Sequence, residues 1–410
     1  MKVPRLKRRH VAVFTQMGNG HLYPLLPLCA ELVGRGYRVT CATNERYSET
    51  VRRADVETVI FTDTPVDEAL QRENVMRSRA PADDFSRLET TPLEWSYFRK
   101  SNNELLAQIE TFYADNVPDL VLYNRYSIVG RILACRSRRP AIQLSPHFAY
   151  PGRFRFWDKG ALTNPEAIVA YAERIDSFLG EHGISSVDNL WHLEPLNIHF
   201  LPQEFQYRSD LFDDRFLFAG NRLERPFRPM WRKGEGAEPV VLISSYSGLP
   251  ETHTPDLGYF RIFIDALANA ECRCILSIGE TIPAKSLGPL PANFEINRRA
   301  SHLEILPHAA VFACHAGMGS SLEAIHSGVP VLAIPGSPYT HEVGYRIAEL
   351  GLGRLLARKE LSVDSVRKIV SQMLADRALR ARVKSIQQSF QRSAGAATAA
   401  DRVELFLEQT

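Results

Sequence analysis

What this chain lacks narrows what it can be. No run of the sequence approaches the roughly 18 to 20 apolar residues that a membrane-spanning helix requires, so membrane insertion is not expected. Lys2, Arg5, Lys7, Arg8 and Arg9 are followed by no apolar stretch of signal-peptide length, which argues against export and for a cytoplasmic protein. Net charge is nearly absent, because 49 basic side chains face 47 acidic ones. No single-sign field is therefore available to draw in nucleic acid. The cysteines are few: Cys29, Cys41, Cys135, Cys272, Cys274 and Cys314 fall mostly inside apolar segments, with no paired spacing beyond one Cys-Arg-Cys. That is the pattern of buried thiols in a reducing compartment. With no His-x-x-x-His and no carboxylate cluster either, no metal site is expected. Short repeats and low-complexity tracts are missing as well.

What is present is alternation. A chain of 410 residues is too long for one ordinary core, and two domains of about two hundred residues are the natural division. Residues 10–15 read as a strand, 16–20 as a loop, 22–33 as a helix stopped by Gly34-Arg35-Gly36, and 37–42 as a strand. That is a right-handed βαβ opening. Its loop, Gly18-Asn19-Gly20, lacks the third glycine of a dinucleotide fingerprint, Tyr23 standing in that place, so NAD and FAD are discounted. Further strands are predicted over 119–124, 140–145, 196–201 and 216–220, with helices over 93–116, 128–136 and 165–182. The polar stretch 62–92 between them is of a length more often functional or mobile than filler. A linker, 223–239, lies in an Arg- and Pro-rich stretch without period. The alternation then resumes from 240, through strands at 274–278 and 294–296. The predicted division is thus 1–222, then 240–385, and 386–410 as a terminal helical segment. The fold class is α/β, two Rossmann-like domains whose parallel sheets face each other across a cleft.

The most informative stretch runs from Cys314 to Gly328, between two short apolar runs at 309–314 and 329–335 that read as buried parallel strands. Ser320 with Glu323 three residues on predicts a capping box at a helix start, and Gly328 a left-handed end. A glycine loop between strand and helix aims free N–H groups and a helix dipole at one place, and an anion is expected there. His315, at the strand's carboxyl end, is placed to hydrogen-bond a phosphate oxygen.

His315-Ala-Gly-Met-Gly-Ser320, followed by Glu323-Ala-Ile-His-Ser-Gly-Val-Pro-Val-Leu-Ala-Ile-Pro335, resembles the donor signature of nucleotide-sugar glycosyltransferases of the GT-B fold. More narrowly, it is similar to the bacterial branch that decorates macrolides and other antibiotics. The resemblance implies a dTDP- or UDP-sugar donor, a small-molecule acceptor, no cofactor and no metal. It places the donor diphosphate on His315, Gly317, Gly319 and Ser320, and a final helix that crosses back to the amino domain. Other donor positions depart from the family's pattern. Arg299-Ala-Ser-His302 stands where a base-stacking tryptophan run is usual, Tyr339-Thr340 where an acidic residue and glutamine grip sugar hydroxyls, and Ser247 ends a turn that normally holds glycine. A less hydroxylated, deoxygenated sugar or a shifted binding mode is implied, with 1–222 as the acceptor-binding domain and 240–385 as the donor-binding domain.

The catalytic dyad of the resembled family is missing. Its base histidine aligns with Asn19 and its aspartate with Asn124, while His21 aligns with a structural histidine. An amide takes no proton near neutrality. Asn19 and Asn124 are therefore read as positioning an acceptor, with His147, Asp63 and Asp67 as alternative bases. Two readings stay open: an inverting transferase whose acceptor needs no histidine base (N, S or carboxylate), and a non-catalytic activator of a companion glycosyltransferase. A homodimer and a companion protein are the two partner arrangements considered.

Overall fold

The computed structural model describes residues 8–66, 69, 91–150, 165–184, 192–220, 230–232, 234, 236–245, 256–279, 282–298, 301–393 and 395–410. Two parallel sheets organise it. The first contains β1 (His10–Phe14), β2 (Arg38–Thr43), β3 (Glu57–Ile60), β4 (Leu120–Asn124), β5 (Ala141–Ser145), β6 (Asn197–His199) and β7 (Phe216–Phe218), in the order β3-β2-β1-β4-β5-β6-β7. The second contains β8 (Val240–Ser244), β9 (Arg273–Ser277), β10 (Phe294–Asn297), β11 (Ala309–Cys314), β12 (Val331–Ala333) and β13 (Gly353–Leu355), in the order β10-β9-β8-β11-β12-β13. Alternate side chains of β1 serve opposite faces: Val11 and Val13 join one core, Ala12 and Phe14 the other. In each sheet the order reverses beside the first strand, between β1 and β4 and between β8 and β11. Ligands of such sheets bind at the carboxyl ends of those strands.

The helices are α1 (Asn19–Leu22), α2 (Leu26–Gly34), α3 (Glu45–Arg52), α4 (Pro92–Tyr113), α5 (Ile128–Ser137), α6 (Pro165–Glu181), α7 (Leu257–Leu267), α8 (His302–Ile305), α9 (Met318–His326), α10 (Pro338–Glu349), α11 (Val363–Ala375), α12 (Arg377–Gln391) and α13 (Gly395–Gln409). Two expectations need correction. The helix expected over 22–33 is broken, because Pro24 has no N–H to carry the ladder onward, and Asn19 with Gly20 belongs to the short α1 rather than to a loop. Residues 45–60, for which no element was expected, form α3 and the edge strand β3.

The terminal helix α13 returns to the amino half, where Ala399, Ala400, Val403 and Leu407 share a core with Leu28 and Leu32 of α2. Arg35 fastens it: Nη1 lies 2.7 Å from Asp401 and 2.6 Å from Glu404, and Nη2 donates to the Ala397 carbonyl at 3.0 Å. Arg35→Ala is expected to cost about 1 kcal/mol of stability, since partly exposed ion pairs contribute only tenths each. Urea unfolding reads it, and an unchanged midpoint would mean that the apolar face alone holds α13.

The two halves meet along α10. Phe148, Tyr150, Phe205 and Tyr207 of the amino half belong to the carboxyl half's core. Tyr150 Oη donates to Glu342 Oε2 at 2.7 Å, and Arg346 Nη2 to the Gln206 carbonyl at 2.8 Å. Among the described residues no helix is long and apolar enough to cross a membrane.

Candidate active site

A cleft of about 2000 Å³ lies between the halves, where the carboxyl ends of β1 and β11 face each other. Its carboxyl-domain wall starts from β11. The chain leaves that strand through His315 and Ala316, whose φ of 59° is unusual for a residue with a Cβ, and reaches Gly317, the N-cap of α9. The predicted capping box does not form. Gly317 caps without a side chain, so Ser320 is already the third helical residue, and Glu323 turns to His302, 3.6 Å from Nδ1. Ser321 is the first residue of the helix to donate backward, to the Gly317 carbonyl at 3.0 Å. Among the described residues the amides of Gly319 and Ser320 have no partner and are open to a ligand at the positive end of the helix, while the Met318 amide acts on Tyr339 Oη.

His315 lies over this loop. A Cβ on Gly317 would stand 2.5 Å from His315 Nε2, so glycine is what lets the ring approach. Burial, with a smaller contribution from the charge of His302, pushes the His315 pKa down to about 4. At neutral pH the ring is uncharged and carries one N–H donor.

The amino-domain wall is a cluster of rings. His21, Tyr126, His147 and Tyr339 all line the cleft. The ring centroids of His21 and His147 are 4.9 Å apart, and those of His147 and Tyr339 are 4.4 Å apart, both pairs edge to face. His147 Nδ1 meets Tyr339 Oη at 2.6 Å, a bond across the two domains. Fully buried Asn124 stands behind the cluster, its Nδ2 3.3 Å from His21 Nδ1 and its Oδ1 accepting from the Tyr126 amide at 3.0 Å. Burial lowers His21 to about 4 and holds His147 well below its ordinary value, with the charges of His21, His199 and Arg125 adding to the latter.

Of the other residues singled out by the sequence, Asn19, Gly317, Gly319, Ser320, Glu323 and Thr340 line the same cleft. Thr340 Oγ1 is engaged locally, accepting from the Gly336 and Ser337 amides at 3.1 and 3.0 Å. His302 is off the wall, its Nε2 3.2 Å from Ser277 Oγ. Asp63 accepts from Asn44 Nδ2 at 2.6 Å and does not line the cleft. Ser247, Arg299 and Asp67 lie outside the described residues. Tyr126 was not singled out, and His21 was set aside as structural. The signal for both is the register that pairs Phe14 with Tyr123, which brings the segments following β1 and β4 together. No group of three His, Cys, Asp or Glu side chains suited to a metal occurs among the described residues.

Comparison with known proteins agrees in direction. A family model described as "Erythromycin biosynthesis protein CIII-like, C-terminal domain" matches residues 261–402. The chain is 30% identical to the NDP-glycosyltransferase YjiC of Bacillus subtilis (strain 168) over 99% of each protein. It is 29% identical to the oleandomycin glycosyltransferase of Streptomyces antibioticus, over 96% of this chain and 90% of that protein. Among solved structures, the calicheamicin glycosyltransferase CalG4 matches 98% of this chain and 99% of its own at a TM-score of 0.77 and 29% identity.

Proposed function

Because the chain belongs to the GT-B nucleotide-sugar glycosyltransferases, related to the bacterial enzymes of antibiotic and macrolide type, we propose that it moves a sugar with inversion from a dTDP- or UDP-sugar onto a small natural-product acceptor. The observation that carries this reading is the open start of α9 beneath neutral His315, facing the ring cluster across the cleft. The diphosphate sits on the Gly319 and Ser320 amides and His315. An acceptor held at the opposite wall then attacks the anomeric carbon from the face away from the leaving group. With the Thr340 hydroxyl engaged in its own loop and Tyr339 bonded to His147, few groups remain there to grip sugar hydroxyls, which supports a deoxygenated sugar. Calorimetry with dTDP and UDP tests the donor site, and absence of heat at millimolar nucleotide would overturn it. Turnover by the chain alone would rule out dependence on a companion protein.

The acceptor nucleophile on this reading needs no base. Asn19, exposed on the first turn of α1, positions it by its amide rather than taking a proton. Asn19→Ala is expected to lower turnover by well under the roughly 10²-fold minimum that loss of a general base costs. The competing route deprotonates a hydroxyl with His147. A rate titration below neutrality that vanishes in His147→Ala would establish that route instead.

A further inference from the structure

Resting on the transferase reading above, we propose that the acceptor end of the cleft is a two-donor cradle for a carboxylate. Asn124 and Tyr339 fix His21 and His147 with their protons on Nε2, and those two N–H groups hold the acceptor's oxygens. Asn124 and Tyr339 are thus positioning residues, and the product is a glycosyl ester.

The tautomer of His21 follows from the amide beside it. Asn124 Oδ1 is committed to the Tyr126 amide at 3.0 Å, so the atom 3.3 Å from His21 Nδ1 is the NH₂ group. An amide nitrogen only donates, hence Nδ1 accepts and the proton of the neutral ring sits on Nε2. An aspartate at 124 would do the reverse, accepting from Nδ1–H and leaving a basic lone pair on Nε2. For His147 the partner is a phenol. Tyr339 is held far above its ordinary pKa by burial, with the Tyr126 and Glu342 charges adding, so it keeps its proton. Its oxygen faces the Met318 amide, and His147 Nδ1 at 2.6 Å is the acceptor for its O–H. His147 therefore also carries its proton on Nε2. Neither Nε2 has a partner among the described residues, and both rings line the cleft.

Such a wall has no lone pair for a proton that an acceptor must lose. A hydroxyl or phenol has to shed one during attack, and an amine sheds one afterwards. A thiolate needs none, but its single large sulfur accepts hydrogen bonds weakly. A carboxylate arrives without its proton and offers two oxygens to two donors. Arg125, whose charge acts on His147 and His199, favours an anion at this wall. Glu342 is the carboxyl whose charge acts on Tyr126 and Tyr339, and burial pushes it up to about 7, which weakens its opposition at and below neutrality. The step balances without proton transfer. A carboxylate lone pair forms the O–C1 bond, the bond from C1 to the phosphate oxygen breaks, and its electron pair leaves with the nucleoside diphosphate.

In full-length protein labelled with ¹⁵N-histidine, and with assignments from His21→Gln and His147→Gln, both rings should show a protonated Nε2 and a bare Nδ1 at pH 7. With dTDP present, 2-naphthoate should move both Nε2 resonances and 2-naphthol should not. Protonated Nδ1 on His21, naphthol moving both signals equally, or naphthoate moving neither, overturns the proposal. With UDP-glucose or dTDP-glucose as donor, ester formation from naphthoate should exceed glycoside formation from naphthol by at least about tenfold, and faster transfer to naphthol also overturns it. Asn124→Asp should transfer the His21 proton to Nδ1, reverse that preference, and give naphthol transfer a titration near neutrality. Failure of the donor reading is seen separately, as missing nucleotide heat with the histidine tautomers still readable.

Discussion

His315→Ala is expected to weaken dTDP and UDP binding by about 10- to 150-fold while thymidine and uridine bind as before. The ring contributes one hydrogen bond to a charged oxygen, which is worth about 1.5 to 3 kcal/mol. The fold should be indifferent to the change, because the buried imidazole is neutral, with its pKa near 4, and its removal strands no charge. For the same reason the wild-type affinity should show no histidine titration between pH 6 and 8 from this residue. Calorimetry on the four ligands decides it: an equal loss for nucleosides and nucleotides would make His315 a structural residue and leave the diphosphate to the helix amides alone.

The stretch around His315 was legible because its signals are local. Six consecutive residues of β11 are apolar or small, Gly328 takes φ 76° at the helix end as expected, and the glycine loop lies between. The one local misreading is instructive. Ser320 and Glu323 have the spacing of a capping box, yet the helix begins earlier on Gly317, which offers its first amides no oxygen. A helix start whose first amides stay open has no capping side chain, so its sequence carries no cap signal.

Other misses come from what a single sequence hides. α3 is strongly charged and buries only Tyr47, Ser48 and Val51, and β3 is an edge strand with only Val59 buried, so neither carries much apolar periodicity. The pairing of His21 with Asn124 spans 103 positions and depends on β1 and β4 being neighbours. Asn124 ends β4 and His21 lies within α1, but the direction of the hydrogen bond between them, and hence the tautomer, depends on where the Tyr126 amide points. Thr340 shows the converse. The resemblance implies a sugar-gripping role at its position, while its hydroxyl completes the Ser337 cap of α10.

Glu342→Gln is expected to make stability less dependent on pH, with the gap between variant and wild type widening by about 2 to 3 kcal/mol from pH 5 to pH 8. Glu342 is 5% exposed on α10, where the two halves meet, and its Oε1 has no hydrogen-bond partner among the described residues. Burial raises its pKa from the ordinary 4.5 to about 7, against a smaller opposing effect of the Tyr150 hydroxyl. The folded protein therefore binds this proton more tightly than the unfolded chain does. The stability carried by the neutral acid is full below about pH 4.5 and is lost as pH rises through 7. Glutamine keeps an oxygen for the Tyr150 hydroxyl and cannot ionise, so it removes the loss without removing the contact. Urea titrations of both proteins at several pH values read the gap. Parallel curves would mean that water or a movement of α10 solvates the carboxylate, and that the two halves part there when it ionises.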